Sequence, residues 1–284
     1  MGQVKIYRAV AKLNSLNLFF LDTRTQGPVI LCLHGRWGRA QTWHAFMQQY
    51  GKEYRIIAPD QRGHGLSDKP VSRYTAEEMA EDAAALLDYL NIERVILAGH
   101  SMGGRIAGHF AALYPARVQA LAILDKSADG PAVKALLPLA DIPAVDPLTK
   151  DWPMPFATLQ QAQAFLREYA DSALEHEYFM GSLYEDEAGY QMRFSAQAIA
   201  ANIAHEESWY HLLPRIQCPV LLVRSSSHEA VPDEAYEKMQ SLLQNCTARE
   251  ISNPDHNVHL SNPPEFYAHF DAFLSNTPGG RPSK

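Results

Sequence analysis

Short runs of β-branched and apolar residues recur along the chain, and most are separated by segments of helical periodicity. In order, the runs read VKIYRAV, LFFLD, VILCLH, RIIAPD, VILAGH, LAILD, VLLVR and REIS. From VILCLH onward the alternation is typical of parallel strands, because a parallel pair needs a crossover helix between its members. We therefore predict an α/β fold: a mostly parallel eight-stranded sheet with helices on both faces.

The segment after Tyr74 has the clearest helix start. Thr75 and Glu78 have the Thr-x-x-Glu spacing of a capping box, in which each residue satisfies a free backbone N–H of the first turn. One apolar stripe follows at helical spacing, which predicts a helix packed on the sheet. The stripe consists of Met79, Ala83, Leu86, Leu87 and Leu90.

The alternation stops between about residues 130 and 214, where several helical patterns occur without a convincing strand. We predict a helical cap inserted into a core that comprises residues 1–129 and 215–275, followed by a disordered tail, residues 276–284. The insertion is rich in aromatic residues and methionine. We expect most of these side chains to form its small core and some to face the main domain.

Composition and charge exclude several classes of function. The chain has 284 residues, 46% of them apolar, and a formal net charge of -7, which gives no reason to expect nucleic acid as a partner. Its three cysteines show neither a disulfide pattern nor zinc-ligand spacing, and nothing suggests a nucleotide site, so we predict no metal and no cofactor. The N-terminus lacks the apolar core of a signal peptide, and no apolar run is long enough for a membrane helix, so we expect a cytoplasmic protein.

The most informative motif is GHSMGG, Gly99 to Gly104, between the strand VILA and the helical segment RIAGHFAALYP. A Gly-x-Ser-x-Gly in this context predicts a nucleophile elbow, in which a strained turn presents the serine at the end of a strand. The helix that follows directs its free N–H groups toward any anion formed there. Ser101 is therefore the candidate nucleophile.

A serine hydroxyl needs a base that is oriented by a third group. Two histidines, His256 and His259, follow the last predicted strand in the stretch NPDHNVHL. His256 comes first after the strand, where a loop can carry it over the sheet edge, so we predict it as the base. We expect His259 to pack behind it.

Four motifs together resemble the α/β-hydrolase family in its lid-bearing, esterase-like branch: LHG at Leu33 to Gly35, DQRGHGLSD, GHSMGG and the late DHNVHLSNPPEF. The resemblance covers nearly the whole chain and keeps the motif order. It implies that the backbone N–H groups of Arg36 and Met102 form an oxyanion hole, and that no cofactor takes part.

The acid of the triad is harder to place. In many relatives it follows the strand that corresponds to VLLVR, but here that loop reads SSSHEAVP and its carboxylate is Glu229. Other branches of the family place the acid after the preceding strand, where this chain has Asp125. We favour Asp125, keep Glu229 as the fallback acid, and regard Asp129 as a distant third.

A serine at the elbow excludes the aspartate-dependent dehalogenase and epoxide hydrolase chemistry of the family. We therefore predict a serine esterase that cleaves carboxylic esters of small to medium apolar substrates through an acyl-enzyme, with Trp37, His100, Trp152 and Phe179 lining its pocket. The alternatives are a C–C bond hydrolase of ring-cleavage products, a lactonase or a thioesterase. A cofactor-free oxygenase and a slow-turnover ligand-binding receptor are further alternatives. We expect a small-molecule ester as the partner, without nucleic acid or membrane, and the sequence does not distinguish a monomer from a homodimer.

Overall fold

A computed structural model describes residues 2–13, 16–132 and 136–279. Within these residues, eight strands form one sheet in the order β1-β2-β4-β3-β5-β6-β9-β10. β1, β2 and β4 pair antiparallel, and the neighbours from β4 to β10 pair parallel. The predicted sheet is thereby confirmed. Its strands are β1 Tyr7–Leu13, β2 Leu16–Asp22, β3 Val29–Leu33, β4 Arg55–Pro59, β5 Val95–His100, β6 Val118–Leu124, β9 Val220–Ser225 and β10 Cys246–Ile251.

Helices cover both faces of this sheet. The side chains of Leu31 and Leu97 belong to one buried cluster with Phe110 of α3, whereas Ile30 and Ile96 belong to a second cluster with α1 and α9. Burying each large apolar side chain contributes about 1.5–3 kcal/mol, so this two-sided core fixes the strand ends that carry the site. The α-helices of the described residues are α1 His44–Tyr50, α2 Ala76–Tyr89, α3 Met102–Leu113, α4 Leu159–Tyr169, α5 Ala173–Gly181, α6 Ala196–Ala204, α7 Asp233–Leu242, α8 Val258–Ser261 and α9 Pro263–Asn276.

The start of α2 follows the predicted cap. Thr75 Oγ1 accepts a hydrogen bond from the backbone N–H of Glu78 at 3.2 Å, and the Glu78 carboxylate accepts one from the N–H of Tyr74 at 2.7 Å. One N–H of the first turn thus has a side-chain acceptor, and the Glu78 carboxylate reaches back to the residue before the cap. Met79, and with it most of the predicted stripe, is buried against the sheet.

The segment between β6 and β9 contains α4, α5 and α6, but it is not purely helical. A two-stranded hairpin, β7 Leu183–Asp186 and β8 Gly189–Met192, corrects the expectation that this segment has no strand. The turn between these strands needs Gly189, whose φ of +126° is accessible essentially to glycine alone. Whether residues 130–214 form a separate cap stays a prediction.

The end of the chain is described as far as residue 279. Asn276 is the last residue of α9, and Thr277 Oγ1 donates a hydrogen bond to Phe273 O at 3.0 Å. The rest of the predicted disordered tail, residues 280–284, lies outside the described residues.

Candidate active site

Ser101 occupies a strained turn between β5 and α3. Its φ of 53° and ψ of −117° lie outside the regions that side-chain-bearing residues prefer, and its backbone N–H is held by Leu124 O at 2.8 Å. Such strain persists only where the surroundings enforce it. The turn therefore presents the serine at the C-terminal end of the sheet.

Two glycines make this turn possible because the backbone passes too close for a side chain. A Cβ on Gly99 would lie 2.2 Å from Gly103 O, and one on Gly103 would lie 2.2 Å from Leu33 O. Both positions of the Gly-x-Ser-x-Gly motif are thus sterically required here. Substitution at either would displace β3 or α3 from the serine.

Asp125 directly follows β6 and pairs with His256. Its Oδ2 lies 2.7 Å from His256 Nδ1, and its Oδ1 accepts the backbone N–H of Ser225 at 2.9 Å. The carboxyl group is 1% exposed, whereas the His256 side chain is 46% exposed. A carboxylate with both oxygens occupied holds the imidazole in one orientation, with the proton on Nδ1.

Glu229, the fallback acid, lies on the loop after β9. Glu229 lines the same cavity as His256, but within the described residues no hydrogen bond joins the two. His228, its neighbour, turns to the surface, where its ring nitrogens contact Glu250 at 2.9 Å and Asp233 at 3.2 Å. The loop thus supplies a wall of the cavity rather than a partner for His256.

Of the two expected oxyanion donors, Met102 follows Ser101 directly and Arg36 lines the same cavity as Ser101. Met102 begins α3, and Arg36 follows the β3 strand end; in the described part of the chain neither backbone N–H has a backbone acceptor. Two hydroxyl groups hold the loop that contains Arg36. Tyr178 of α5 donates a hydrogen bond to Arg36 O at 3.3 Å, and Ser182, just after α5, donates one to Trp37 O at 2.6 Å. Sequence reasoning missed both of these residues.

The Arg36 side chain reaches toward α6 and joins a charge cluster centred on Glu206. Its guanidinium donates to Asn202 Oδ1 at 3.4 Å and lies 3.8 Å from the Glu206 carboxylate. The same carboxylate is 2.5 Å from Lys126 Nζ and 3.8 Å from Arg105. Burial opposes ionisation of Glu206, but the attraction of these three cations outweighs it and holds the pKa of Glu206 below its usual range.

Ser101, Asp125 and His256 line one cavity of about 1070 Å³. Of the predicted pocket residues, His100, Trp37 and Phe179 also line it, with the Trp37 and Phe179 ring centroids 5.5 Å apart. Trp152 does not: it is 7% exposed and packs edge-on against Phe179 with centroids 5.2 Å apart. Its place in the pocket is therefore corrected, because Phe179 lies between it and the cavity.

Four further acidic residues line this cavity, and three of them were not expected from the sequence. They are Asp171, Glu175, Glu229 and Asp255. Among the described residues none of the four forms a salt bridge with lysine or arginine. Burial and repulsion from Asp171 and Asp255 raise the pKa of Glu175. The wall of the cavity near His256 is thus negatively charged.

One group of acidic and histidine side chains has metal-ligand spacing in the part of the chain described. The ligand atoms of Glu77, His109 and Glu207 lie within 4.8 Å of one another, away from the cavity. Both glutamates also attract the buried Arg105 guanidinium, so the group belongs to a charge network next to Glu206.

No described helix is long and apolar enough to cross a membrane.

Two curated proteins show sequence similarity to this chain over stretches of different length. The chain is 37% identical over 117 residues to an uncharacterized protein of Mycobacterium tuberculosis, a match that covers 41% of this chain but 34% of that protein. It is 27% identical over 243 residues to a putative esterase/lipase of Haemophilus influenzae, covering 83% of this chain and 79% of the relative.

Among solved structures, E-2-(acetamidomethylene)succinate hydrolase superposes with a TM-score of 0.80 at 23% identity, covering 95% of this chain and all of that one. At this identity the likeness concerns the fold alone. The family model of the alpha/beta hydrolase fold matches residues 28–263. The chain therefore belongs to the α/β-hydrolase fold family.

Proposed function

We propose that this hydrolase cleaves carboxylic esters of small to medium apolar substrates through an acyl-enzyme on Ser101. One observation carries the proposal: the strained Ser101 shares a cavity with an imidazole that a buried carboxylate orients. Serine, histidine and aspartate in this arrangement are the components of nucleophilic acyl transfer.

In the first half-reaction, Ser101 Oγ bonds to the ester carbonyl carbon while His256 Nε2 takes the hydroxyl proton. The carbonyl oxygen becomes an oxyanion, which the N–H groups of Arg36 and Met102 stabilise; loss of one such donor typically costs about 10²- to 10³-fold in kcat. When the tetrahedral intermediate collapses, the bond to the alcohol oxygen breaks and His256 returns the proton to it.

In the second half-reaction, a water molecule gives its proton to His256 and attacks the acyl carbon. Collapse then breaks the bond to Ser101 Oγ, and His256 returns the proton to it, so the acid leaves and the enzyme is regenerated. The Asp125 carboxylate offsets the positive charge of the imidazolium in both half-reactions, because its buried Oδ2 lies 2.7 Å from His256 Nδ1. The resemblance to a putative esterase/lipase over 83% of this chain supports this choice of reaction.

A fluorophosphonate probe tests the proposal directly. We expect it to modify the protein stoichiometrically, with the adduct on the peptide that contains Ser101 as located by mass spectrometry. Ser101→Ala should prevent labelling, whereas an exposed serine such as Ser275, replaced by alanine, should leave it unchanged. A wild-type protein that takes up no probe would exclude a serine nucleophile.

A substrate panel then separates ester hydrolysis from the related reactions. Esters of graded chain length, a thioester, a lactone and a vinylogous diketone are compared by kcat/KM at equal protein concentration. We expect the esters to be the best substrates. A higher kcat/KM on the diketone, with Ser101 labelled as before, would assign C–C bond hydrolysis to the same triad.

The negative wall of the cavity predicts discrimination by substrate charge. p-Nitrophenyl butyrate and p-nitrophenyl hemisuccinate have acyl chains of equal length, but the second ends in a carboxylate. Repulsion from Asp171, Glu175, Glu229 and Asp255 should lower kcat/KM for the hemisuccinate by about 10-fold at low ionic strength, and salt should reduce the difference.

Asp171→Asn provides the matched control because it removes one negative charge from the cavity wall. In this variant the kcat/KM values for the butyrate and the hemisuccinate should lie closer together. Preference of the wild type for the hemisuccinate would contradict the proposed apolar substrate class and would favour an acidic one.

A further inference from the structure

His100 is the last residue of β5 and immediately precedes Ser101, yet its ring is 2% exposed. It lies between two other imidazoles, with ring centroids 4.8 Å from His256 and 4.9 Å from His259. His259 in turn stacks on Trp43 at 4.5 Å. A packed column of rings thus supports His256 from the side of the sheet.

The hydrogen bond of His100 identifies its tautomer. Nε2 lies 2.8 Å from the backbone carbonyl oxygen of His256, and a carbonyl only accepts, so Nε2 carries the proton and donates. Burial, and then repulsion from His256, lower the pKa of His100 to about 3, so the ring is neutral at physiological pH. His100 therefore offers a fixed donor and no charge.

The other nitrogen of His100 faces the protein rather than a substrate. A Cβ placed on Gly35 would lie 2.8 Å from His100 Nδ1, so the Gly35 backbone packs against this nitrogen. His100 borders the cavity, but its Nδ1, which has no hydrogen-bond partner among the described residues, is buried by protein atoms. His100 thus borders the cavity as predicted, but neither of its ring nitrogens is available to a substrate.

His256 is held at two points. Its ring is bound through Nδ1 to Asp125, and its backbone carbonyl is bound by His100. The residue lies on the loop between β10 and α8 and is about half exposed, so packing alone constrains it weakly. Without the hydrogen bond from His100 to the His256 carbonyl, the loop can move the imidazole while the Asp125 carboxylate stays fixed in the core.

We infer that His100 is a positioning residue: its Nε2–H anchors the backbone of His256 and so aligns the imidazole between Asp125 and Ser101. The inference rests on the proposed function, in which His256 is the base. A displacement of about 1 Å of a reacting group can cost roughly 10²-fold in rate, which sets the size of effect that the anchor can have.

Two polar variants test this inference. In His100→Gln, Nε2 of the amide takes nearly the place of the imidazole Nε2 and can donate to His256 O; in His100→Asn the amide is one bond shorter and falls short of it. We expect the asparagine variant to lower kcat about 10²-fold with KM nearly unchanged, and the glutamine variant to recover most of that loss.

A low-field proton resonance provides a readout independent of turnover. The His256 Nδ1–H that faces Asp125 should give a signal that is present in the wild type and His100→Gln, weakened or absent in His100→Asn, and absent in Asp125→Asn. Equal kcat in the glutamine and asparagine variants, or a change in KM alone, would overturn the positioning role. If the resonance follows this order while Ser101 resists the fluorophosphonate, the anchor stands and the proposed function fails.

Discussion

Replacing Asp125 by asparagine is expected to lower kcat for ester hydrolysis by about 10⁴-fold, by analogy with triad aspartates elsewhere. The amide cannot offset the charge of an imidazolium, and its NH₂ group no longer selects the tautomer with the proton on Nδ1. Because asparagine has nearly the same shape and can still accept the Ser225 N–H, the fold should survive the change. Steady-state kinetics on p-nitrophenyl butyrate, with thermal unfolding as a check, measure the effect.

Glu229→Gln is the matched control. Glu229 lines the same cavity, but no hydrogen bond to His256 is found for it in the described residues, so this variant should retain nearly full kcat. Near-wild-type kcat in Asp125→Asn would refute the assignment of the acid. A large loss in Glu229→Gln alone would transfer the role to the loop after β9.

The free energy of unfolding is expected to fall steeply as the pH drops below about 6.5. Six of the described histidines are almost completely buried, and burial lowers the pKa of four of them: His34, His64, His100 and His259. Burial lowers the pKa of His64 to about 4 and of His100 to about 3, and lowers those of His34 and His259 well below the usual value. His34 must also stay neutral to accept the Gln61 N–H at 2.9 Å.

The fall in the free energy of unfolding at low pH follows from proton linkage. Above pH 6.5 these rings are neutral in both states and contribute no pH dependence. Between pH 6.5 and about 4, the unfolded chain binds up to four more protons than the folded one, so each pH unit removes about 1.4 kcal/mol per histidine, or about 5 kcal/mol in total. Since a domain has about 5–15 kcal/mol of stability, acid unfolding should begin near pH 5.

Urea unfolding at a series of pH values between 7.5 and 5.5 measures this slope, the change in the free energy of unfolding per pH unit. His64→Asn keeps a donor for Arg62 O, which His64 Nδ1 contacts at 3.0 Å, and should reduce the slope by about 1.4 kcal/mol per pH unit. The exposed His44, replaced by glutamine, should leave it unchanged. A free energy of unfolding that stays constant down to pH 5.5 would contradict the buried, neutral state of these rings.

Features set by local sequence were predictable. The capped start of α2 depends on residues three positions apart, and the elbow at Ser101 is marked by glycines two positions away on either side. The eight strands were recognisable from short apolar runs bounded by turn residues, because burial on both faces leaves little freedom of composition.

Features that depend on contacts between residues far apart in the chain were not predictable from the sequence. Asp125 and Glu229 both follow a strand in the sequence, and only the position of the His256 loop over the end of β6 separates them. Trp152 and Phe179 are equally apolar, and only packing decides which faces the cavity. Tyr178 and Ser182 act through long-range hydrogen bonds to the Arg36 loop, for which spacing along the chain carries no signal.

The Glu206 cluster has a mechanical consequence. Its single carboxylate joins Arg36, Arg105 and Lys126, which come from three core segments, each adjoining a proposed catalytic group. Withdrawing the residues that follow α6 would leave these three cations without their shared counter-charge, although only Arg105 is fully buried and the other two are partly exposed. This edge of the inserted segment is therefore the costly one to open. Residues 171–175 border the cavity and, among the described residues, form no salt bridge with lysine or arginine, so the N-terminal end of α5 is the less costly edge to open. Tyr178, farther along α5, would have to stay in place, because its hydroxyl holds the oxyanion loop at Arg36.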